Sequence, residues 1–222
     1  MNTENVRNKS SLKSSNLPFF APRSMYNRTS ERENGDLGDF TRGFRKISQA
    51  VKAFDFDFRG KTVLDIGSST GGFTEFALMR GALRVIAVEK GSRQMRAPLR
   101  YDPRVELHEK TDIFEFVPKE KPDVIVADVS FLSLTKILKY AKMKLARRDT
   151  QFLVMLKPQF EARPWQLNRG VVKNEKMRRE IMREFEFWLK ENGFVVVKKR
   201  DNELTGRNGN LERFYLLKLG AM

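Results

Sequence analysis

The sequence predicts an α/β fold in which helices cover both faces of one mostly parallel sheet. Short runs rich in Val, Ile and Leu alternate along the chain with segments of helical periodicity, and this is the pattern of a doubly wound sheet. The last two runs have no helical segment between them, so we expect these two strands to pair antiparallel. A length of 222 residues suits one sizeable domain.

The individual elements follow from the two periodicities. The first helix is predicted to begin after Thr41, because apolar residues recur there at spacings of three and four. These apolar residues are Phe44, Ile47, Ala50, Val51 and Phe54. The strands are predicted, in chain order, at 62–66, 84–88, 105–108, 123–127, 151–156, 194–199 and 213–219. The helices between them are predicted at 72–80, 92–100, 132–146 and 174–192.

The first 40 residues differ from the rest in composition. They are dominated by Asn, Ser, Arg and Glu and contain few apolar residues. Such a segment buries too little apolar surface to offset the entropy that is lost on ordering. We therefore expect residues 1–40 to be a polar, disordered segment and residues 41–222 to form the folded domain.

The composition excludes several classes of chemistry. The chain has no cysteine, so it has no disulfide, no thiolate metal site and no cysteine nucleophile. Its single histidine, His108, lies in a strand-like segment, which disfavours histidine-based triads and metal sites. No apolar stretch approaches the ~18 to 20 residues that span a bilayer, and the N-terminus does not resemble a signal peptide. We expect a cytoplasmic protein with neither a metal nor a membrane partner.

The charge balance points to a polyanionic partner. The formal net charge is +15, and residues 41–222 carry 37 Lys and Arg against 23 Asp and Glu. A field of this sign attracts phosphate backbones, so the charge favours a nucleic acid that binds to the folded domain. A merely solvated basic surface and attraction to anionic lipid are alternatives that the charge alone leaves open.

A glycine-rich turn follows the first predicted strand in the segment VLDIGSSTGGFTE, residues 63–75. Asp65 ends the strand, Gly67 opens the turn, and Gly71 and Gly72 lead into the next helix. In doubly wound sheets such a turn lets backbone N–H groups approach a ligand. An acidic side chain here would repel a pyrophosphate, but it suits a ligand with an amino group and a sulfonium cation, such as S-adenosylmethionine.

Two further carboxylates are predicted at the same edge of the sheet. Glu89 ends the second strand and is placed for the ribose hydroxyls of such a ligand, and Asp112 follows the third strand and is placed for its adenine end. The alternative is that these acidic residues cap helices and that the glycines only turn the chain. The predicted cofactor-binding residues are Asp65, Gly67, Ser68, Ser69, Thr70, Gly71, Gly72, Phe73, Glu89, Asp112 and Asp128.

Two lysines and two carboxylates form a second candidate set. Asp128 and Lys157 follow the fourth and fifth strands, Lys46 lies on the first helix, and Glu212 opens the last strand. A ribose 2′-hydroxyl is a weak nucleophile, so its attack on a methyl donor needs a base. A lysine serves as that base only when its amine is partly neutral, a state that burial or a nearby cation favours. The alternative is four unrelated salt-bridging surface residues.

Eight segments appear in an order that resembles the TlyA family of ribosomal RNA ribose 2′-O-methyltransferases, within the wider FtsJ-like group. The resemblance covers about residues 41–219, and D-V-S-F-x-S-L and K-P-Q-F-E are its most specific motifs. The segments are TRGFRKISQAVKAF, VLDIGSSTGGFTE, RVIAVEKG, DPRV, PDVIVADVSFLSL, LKPQFE, RGVVKN and GNLERFYLL.

The resemblance implies a fold, a reaction and residue roles. The fold is a class I methyltransferase Rossmann-like, doubly wound sheet of seven strands with the last strand antiparallel. The reaction is S-adenosylmethionine-dependent 2′-O-methylation of a ribose, and the partner is ribosomal RNA or a ribosomal subunit. Lys46, Asp128, Lys157 and Glu212 match the catalytic tetrad, with Lys157 as the proton acceptor, Asp128 holding it, and Lys46 and Glu212 positioning the ribose.

The sequence departs from the family pattern in two places. A short polar segment stands where the family has an S4-type RNA-binding domain, and Phe44 stands where the family usually has a small residue. These departures keep a second hypothesis open: a basic RNA-binding or ribosome-assembly module on an inactive methyltransferase fold. A third hypothesis, lysis at a membrane surface, follows only from the name haemolysin that the family often carries.

Overall fold

The computed structural model describes residues 40–206 and 208–220. Apart from Phe40, the predicted polar segment lies outside the described residues. Within the described part of the chain, no helix combines the length and the apolar character that a membrane span requires.

The described residues form one seven-stranded sheet and one small hairpin. The sheet strands are Thr62–Ile66 (β1), Arg84–Val88 (β2), Val105–His108 (β3), Val124–Ala127 (β4), Gln151–Leu156 (β5), Phe194–Asp201 (β8) and Arg213–Leu219 (β9). The hairpin strands are Leu167–Asn168 (β6) and Val171–Val172 (β7). The strand order in the sheet is β3-β2-β1-β4-β5-β9-β8. The first five of these strands are parallel, and β9 pairs antiparallel with both β5 and β8, as predicted.

Helices cover both faces of this sheet. They are Arg42–Phe54 (α1), Gly72–Met79 (α2), Ala97–Arg100 (α3), Leu134–Tyr140 (α4) and Glu175–Glu191 (α5). Alternate residues of each strand point to opposite faces, so Val63 packs with the apolar side chains of α1 and α2, whereas Leu64 packs with those of α4 and α5. The predicted doubly wound sheet of seven strands, with its last strand antiparallel, is therefore confirmed.

The first helix shows how local sequence sets local structure. The hydroxyl of Thr41 accepts a hydrogen bond from the backbone N–H of Phe44 at 3.3 Å and caps the helix. The predicted apolar face is buried, and Phe44 stacks on Phe40 with ring centroids 4.0 Å apart. The helix ends at Asp55 in a left-handed conformation, with φ 50°. The result is a helix whose one polar buried residue is Lys46.

Three elements differ from their predictions. The third helix begins at Ala97 rather than near 92, because Pro98 is tolerated only in a first helical turn. The helix predicted at 132–146 is α-helical from Leu134 to Tyr140 and continues as a π-helical turn over Ala141–Leu145. The hairpin of β6 and β7 was not predicted, since its strands are only two residues long.

The edge strand β8 carries an unusual pattern of exposure. Val195 and Val197 are exposed, and Lys198, Lys199 and Arg200 follow them. A register shift interrupts the pairing with β9 between Val196 and Lys198. This strand therefore ends in a basic, irregular run.

The segments that follow the parallel strands lie at one edge of the sheet. The carboxyl ends of β1, β2, β4 and β5 lie at this edge. Leu156 at the end of β5 pairs with Arg213 at the start of β9, so the segment that enters β9 lies there too. In doubly wound sheets this edge is where ligands bind.

The contact between α1 and α2 gives the first testable prediction. A Cβ atom on Gly72 would clash with Thr41 Oγ1 and lie 2.7 Å from the backbone N of Phe44, whereas a Cβ on Gly43 would meet atoms of α2 only at 3.7 Å. We expect Gly72→Ala to lower the free energy of unfolding by about 1–3 kcal/mol through overpacking.

Gly43→Ala is the matched control on the facing helix. It should leave stability unchanged or raise it by up to about 1 kcal/mol, because alanine is favoured over glycine inside a helix. Chemical denaturation of both variants measures the difference, and equal stabilities would show that the two helices are not in close contact at Gly72.

Candidate active site

The glycine turn after β1 is built for close approach of the backbone. Gly67 and Gly71 have φ of 78° and 91°, in the left-handed region that favours glycine. A Cβ atom on Gly67 would lie 3.4 Å from Val129 Cγ1 and 3.5 Å from the carbonyl oxygen of Asp128. The turn therefore lies directly against the segment that follows β4.

Asp65 is the buried acid beneath this turn. The residue is 1% exposed, and Oδ2 accepts a hydrogen bond from Thr74 Oγ1 at 2.6 Å, while Oδ1 is buried with no hydrogen-bond partner among the residues that the structure describes. Burial raises the pKa of Asp65 to about 7, the hydrogen bond from Thr74 opposes that rise, and the nearby carboxylates Asp128 and Glu89 add to it. The site thus holds a carboxyl group that would gain from a cation.

Glu89 ties the glycine turn to the loop after β2. Its Oε2 accepts from the backbone N–H of Ser69 at 2.9 Å, and its Oε1 accepts from the N–H of Gly91 at 2.7 Å. Beside it, the hydroxyl of Ser68 is buried without a partner. Because both carboxylate oxygens are held by backbone groups, Glu89 is fixed at the carboxyl end of β2.

The remaining predicted cofactor residues lie in different surroundings. Asp112 accepts from the backbone N–H of Phe114 at 3.0 Å and pairs with Lys90 at 2.9 Å, and both contacts lower its pKa. It thus caps a short 3-10 helix, as the alternative interpretation of the sequence proposed. Phe73 is buried and stacks on Phe214, so only its backbone faces the turn. Ser69 and Thr70 are exposed on the turn itself.

Lys157 and Asp128 form an ion pair at the carboxyl ends of β5 and β4. Lys157 Nζ lies 2.6 Å from Asp128 Oδ1 and donates a hydrogen bond to Ser130 Oγ at 2.9 Å. Both side chains are mostly buried yet retain some exposure. The amine is therefore held in one position at an edge that solvent and substrate can reach.

Lys46 and Glu212 form a second ion pair that is fully buried. Nζ of Lys46 donates to Oε2 of Glu212, and the two residues are 5% and 2% exposed. Their positions in the sequence differ by 166, so the pair joins α1 to the last strand. Removing one partner of a buried pair leaves an uncompensated charge and typically costs about 3–5 kcal/mol.

Strand pairing brings the two ion pairs to the same edge. Leu156 of β5 is opposite Arg213 of β9, so Lys157 and Glu212 are the next residues on two neighbouring antiparallel strands. The backbone N–H of Asp128 donates to the carbonyl of Ile66 at 3.4 Å, which joins the same edge to the glycine turn. The four predicted residues are thus two ion pairs at one edge and not unrelated surface charges.

Two polar residues at this edge were missed by the sequence interpretation. Ser130 contacts Lys157, and Glu161 accepts from Ser133 Oγ at 2.7 Å and from the backbone N–H of Leu134 at 2.5 Å. Burial raises the pKa of Glu161, which these hydrogen bonds oppose. Both residues belong to the D-V-S-F and K-P-Q-F-E motifs, and their place beside the strand ends was the signal available in the sequence.

An exposed aromatic residue stands next to the Lys157–Asp128 pair. Phe131 is 88% exposed and has a φ of 64°, an unfavourable conformation for a bulky residue. Its ring contacts that of Phe160, with centroids 5.3 Å apart. Trp165, in the segment that follows β5, is half-exposed. Rings held in this way offer a surface on which a base could stack.

Comparison with known proteins agrees with this geometry. Residues 40–219 match the family model described as FtsJ-like methyltransferase. The chain is 37% identical over 182 residues to the 16S/23S rRNA (cytidine-2′-O)-methyltransferase TlyA of Mycobacterium tuberculosis, covering 80% of this chain and 68% of that protein. It is 33% identical over 177 residues to the 23S rRNA (cytidine-2′-O)-methyltransferase TlyA of Campylobacter jejuni, covering 79% of this chain and 69% of that one.

A solved structure gives the same result for the fold. A Streptococcus thermophilus protein named as a hemolysin superposes with a TM-score of 0.79 at 30% sequence identity, covering 84% of this chain and 69% of that chain. The resemblance in sequence therefore extends to the three-dimensional arrangement.

The burial of Asp65 makes stability depend on pH. Its pKa of about 7 in the folded protein exceeds its ordinary value of 3.8, so the folded state binds the proton more tightly. The resulting contribution is fully present below pH 3.8 and is lost as the pH rises through 7, a change of roughly 4 kcal/mol. We expect Asp65→Asn to gain stability relative to the wild type between pH 4 and pH 8, measured by chemical denaturation.

Asp55→Asn removes an exposed carboxylate and serves as the control. Its stability relative to the wild type should change little over the same range, because this side chain is solvated. A constant difference between Asp65→Asn and the wild type at the two pH values would contradict protonation of the buried acid.

Proposed function

The chain belongs to the FtsJ-like methyltransferase family, and on this premise we propose that it transfers a methyl group to the 2′-hydroxyl of a ribose in ribosomal RNA. The TlyA relatives of M. tuberculosis and C. jejuni are named for that reaction. One observation carries the proposal for this chain: Lys157, held by Asp128 at 2.6 Å, stands at the same sheet edge as an acid-lined glycine turn. A base and a site for a cationic methyl donor are thus neighbours.

S-adenosylmethionine is the proposed methyl donor, and the residues of the turn fit it. When bound, it supplies an electrophilic methyl group on a sulfonium sulfur. Within the described part of the chain, Asp65 Oδ1 and Ser68 Oγ are buried polar atoms without partners, and such atoms need a ligand or water to satisfy them. Gly67 and Gly71 have no side chain, so a ligand can approach the backbone at positions where a Cβ atom would fill the space. Asp65, Glu89 and Asp128 together would favour the positive charge.

Lys157 is the proposed proton acceptor. Its neutral amine would take the proton from the ribose 2′-hydroxyl as the oxygen attacks, and Asp128 would stabilise the ammonium that forms. The hydrogen bond to Ser130 at 2.9 Å further restricts where Nζ can lie. A fixed base next to a fixed donor site lowers the entropy that is lost on reaching the reactive geometry, and this is a major source of rate enhancement.

Lys46 and Glu212 are proposed to position the ribose. Their ion pair is buried and joins two elements that are far apart in sequence, so its atoms have little freedom. A Cβ atom on Gly206 would lie 2.9 Å from Glu212 Oε1, so the loop before β9 packs closely over this carboxylate. Because Glu212 is next to Lys157 across the β5–β9 pairing, this rigid buried pair would fix the part of the site wall beside Lys157 against which the ribose lies.

A basic cleft beside Lys46 supports RNA as the substrate. The cleft has a volume of about 370 Å³ and is lined by Arg42, Arg45, Glu203, Leu204 and Thr205. Arg42 and Arg45 lie on α1, one turn and one residue before Lys46, and both are exposed. Their guanidinium groups can pair with phosphates, and Phe131, the residue after the Ser130 that contacts Lys157, offers a base an exposed stacking surface.

Transfer of labelled methyl from S-adenosylmethionine tests the proposal directly. Intact ribosomes, separated subunits and naked ribosomal RNA are the acceptors, and the modified position is mapped afterwards. We expect label on a ribose 2′-oxygen. Label only on a base, or RNA binding without any label in all acceptors, would overturn the proposal and favour another methyl acceptor or a pure RNA-binding role.

Substitution of Lys157 tests the assignment of the base. Lys157→Ala should lower the rate of methyl transfer by ~10²–10⁴-fold, which is the usual contribution of a positioned base. Lys157→Arg should be similarly slow despite keeping the positive charge, because a guanidinium does not lose its proton near neutral pH. Both rates are measured at saturating methyl donor and RNA.

Two controls accompany these variants. Lys52→Ala removes an exposed lysine on α1 and should leave the rate unchanged. Calorimetric titration with S-adenosylmethionine should show that both Lys157 variants bind it as the wild type does. Full transfer activity in Lys157→Ala would rule this residue out as the base.

A further inference from the structure

The helix α5 presents a row of exposed cations on one side. Lys176, Arg179, Arg183 and Lys190 of α5 are all exposed. Their spacings of three, four and seven residues place them on one side of the helix. Within residues 40–206 and 208–220, none of the four forms an ion pair with a carboxylate. We call this row the basic ridge.

Glu180 lies four residues after Lys176 and three before Arg183, so it is on the same side of α5 as the ridge, whereas two other glutamates are engaged elsewhere. Glu184 contacts Arg163 at 3.3 Å on one flank, and Glu186 contacts Lys199 at 2.7 Å and accepts from Tyr215 at 3.0 Å on the other. Glu184 and Glu186 therefore do little to neutralise the ridge, and Glu180 offsets one of its four charges. The four cations extend from residue 176 to residue 190, or about 21 Å of helix.

An exposed aromatic ring interrupts the row of cations. Phe187 is 66% exposed and lies four residues after Arg183 and three before Lys190. It therefore belongs to the same side of the helix. Exposed rings set between cations provide stacking for unpaired bases, which binds single-stranded nucleic acid with little dependence on sequence.

The ridge begins beside the candidate active site. Arg178, one residue before Arg179, is buried and donates from Nε to the carbonyl of Leu211 at 3.1 Å. Leu211 is the neighbour of Glu212. The first turn of α5 is thus attached to the segment that carries a proposed catalytic residue, and the helix leads away from that edge along the face of the sheet.

We propose that the basic ridge and Phe187 bind a single-stranded segment of the RNA substrate as it leaves the active site. A linear polyanion can meet charges spaced over about 21 Å at the same time. The proposal rests on the proposed function for the identity of the substrate. It adds a binding surface that lies outside the catalytic edge and contributes affinity but no chemistry.

Neutralising the ridge tests this proposal. The variant R179Q/R183Q/K190Q is compared with K52Q/K119Q/R148Q, which loses the same charge at exposed positions elsewhere in the domain. The probe is poly(U), an unstructured RNA single strand, and its dissociation constant is measured over a range of salt concentrations. Each lost contact with single-stranded RNA should lower the slope of log K against log salt by about 0.7.

We expect the slope to fall by about 2 for the ridge variant and by less than 0.7 for the control. Phe187→Ala should weaken binding of poly(U) several-fold and leave binding to duplex RNA unchanged, whereas Phe187→Tyr should retain it. With ribosomal RNA as acceptor, the ridge variant should have a raised KM and an unchanged kcat. Equal salt slopes for the two triple variants would overturn the proposal.

The outcomes separate this proposal from the proposed function. If the wild type methylates no ribose but the ridge variant alone loses salt-dependent binding, the ridge is an RNA surface on a protein with another role. If the wild type methylates ribosomal RNA and the ridge variant binds as the control does, the ridge is only a solvated face. Circular dichroism checks that each variant is folded. If the triple variant does not fold, the single variants Arg179→Gln and Arg183→Gln replace it in the same measurements.

Discussion

The buried ion pair between Lys46 and Glu212 is the contact on which the rest of the candidate site depends. A charge removed from water is strongly destabilising unless a partner compensates it, so neither residue tolerates the absence of the other. Lys46 lies on the first helix and Glu212 directly precedes the last strand, and the two residues are 166 positions apart in the sequence. The pair forms only when α1 has packed on the sheet and β9 has paired with β5. The geometry around Lys157, the proposed base, is therefore available only in the fully assembled domain.

The glycine turn differs from this ion pair, because some of its buried polar atoms form no hydrogen bond within the described part of the chain. Asp65 Oδ1 and Ser68 Oγ are buried without partners, and the pKa of Asp65 rises to about 7 because its negative charge has little solvent. Such an arrangement lowers the stability of the free protein, and a bound cation would restore what is lost. The domain thus combines a rigid ion pair on one side of the candidate site with unsatisfied polar groups on the other, which the proposed ligand would satisfy.

The strands of the sheet could be predicted from the sequence almost to the residue, whereas most of the contacts between polar side chains could not. Val-, Ile- and Leu-rich runs mark β1, β2 and β5, because strands buried on both faces must be continuously apolar. The glycines and acids directly after those strands indicated the edge at which a ligand binds, because doubly wound sheets bind ligands at the carboxyl ends of their strands. The contact of Ser130 with Lys157 and the capping of α4 by Glu161 depend on loops whose paths no periodicity specifies. Phe44 shows the same limit, since only the packing against Phe40 and Phe76 reveals how α1 accommodates a large ring there.

The basic end of β8 has a consequence for how the domain behaves at high concentration. An edge strand exposes unpaired backbone groups, and Val195 and Val197 make this one apolar enough to attract a second strand. Lys198 and Lys199 put charge on this edge, and the register shift after Val196 makes it irregular, and both features oppose pairing with a second strand. We therefore expect the domain to resist growth into β-rich aggregates at high concentration.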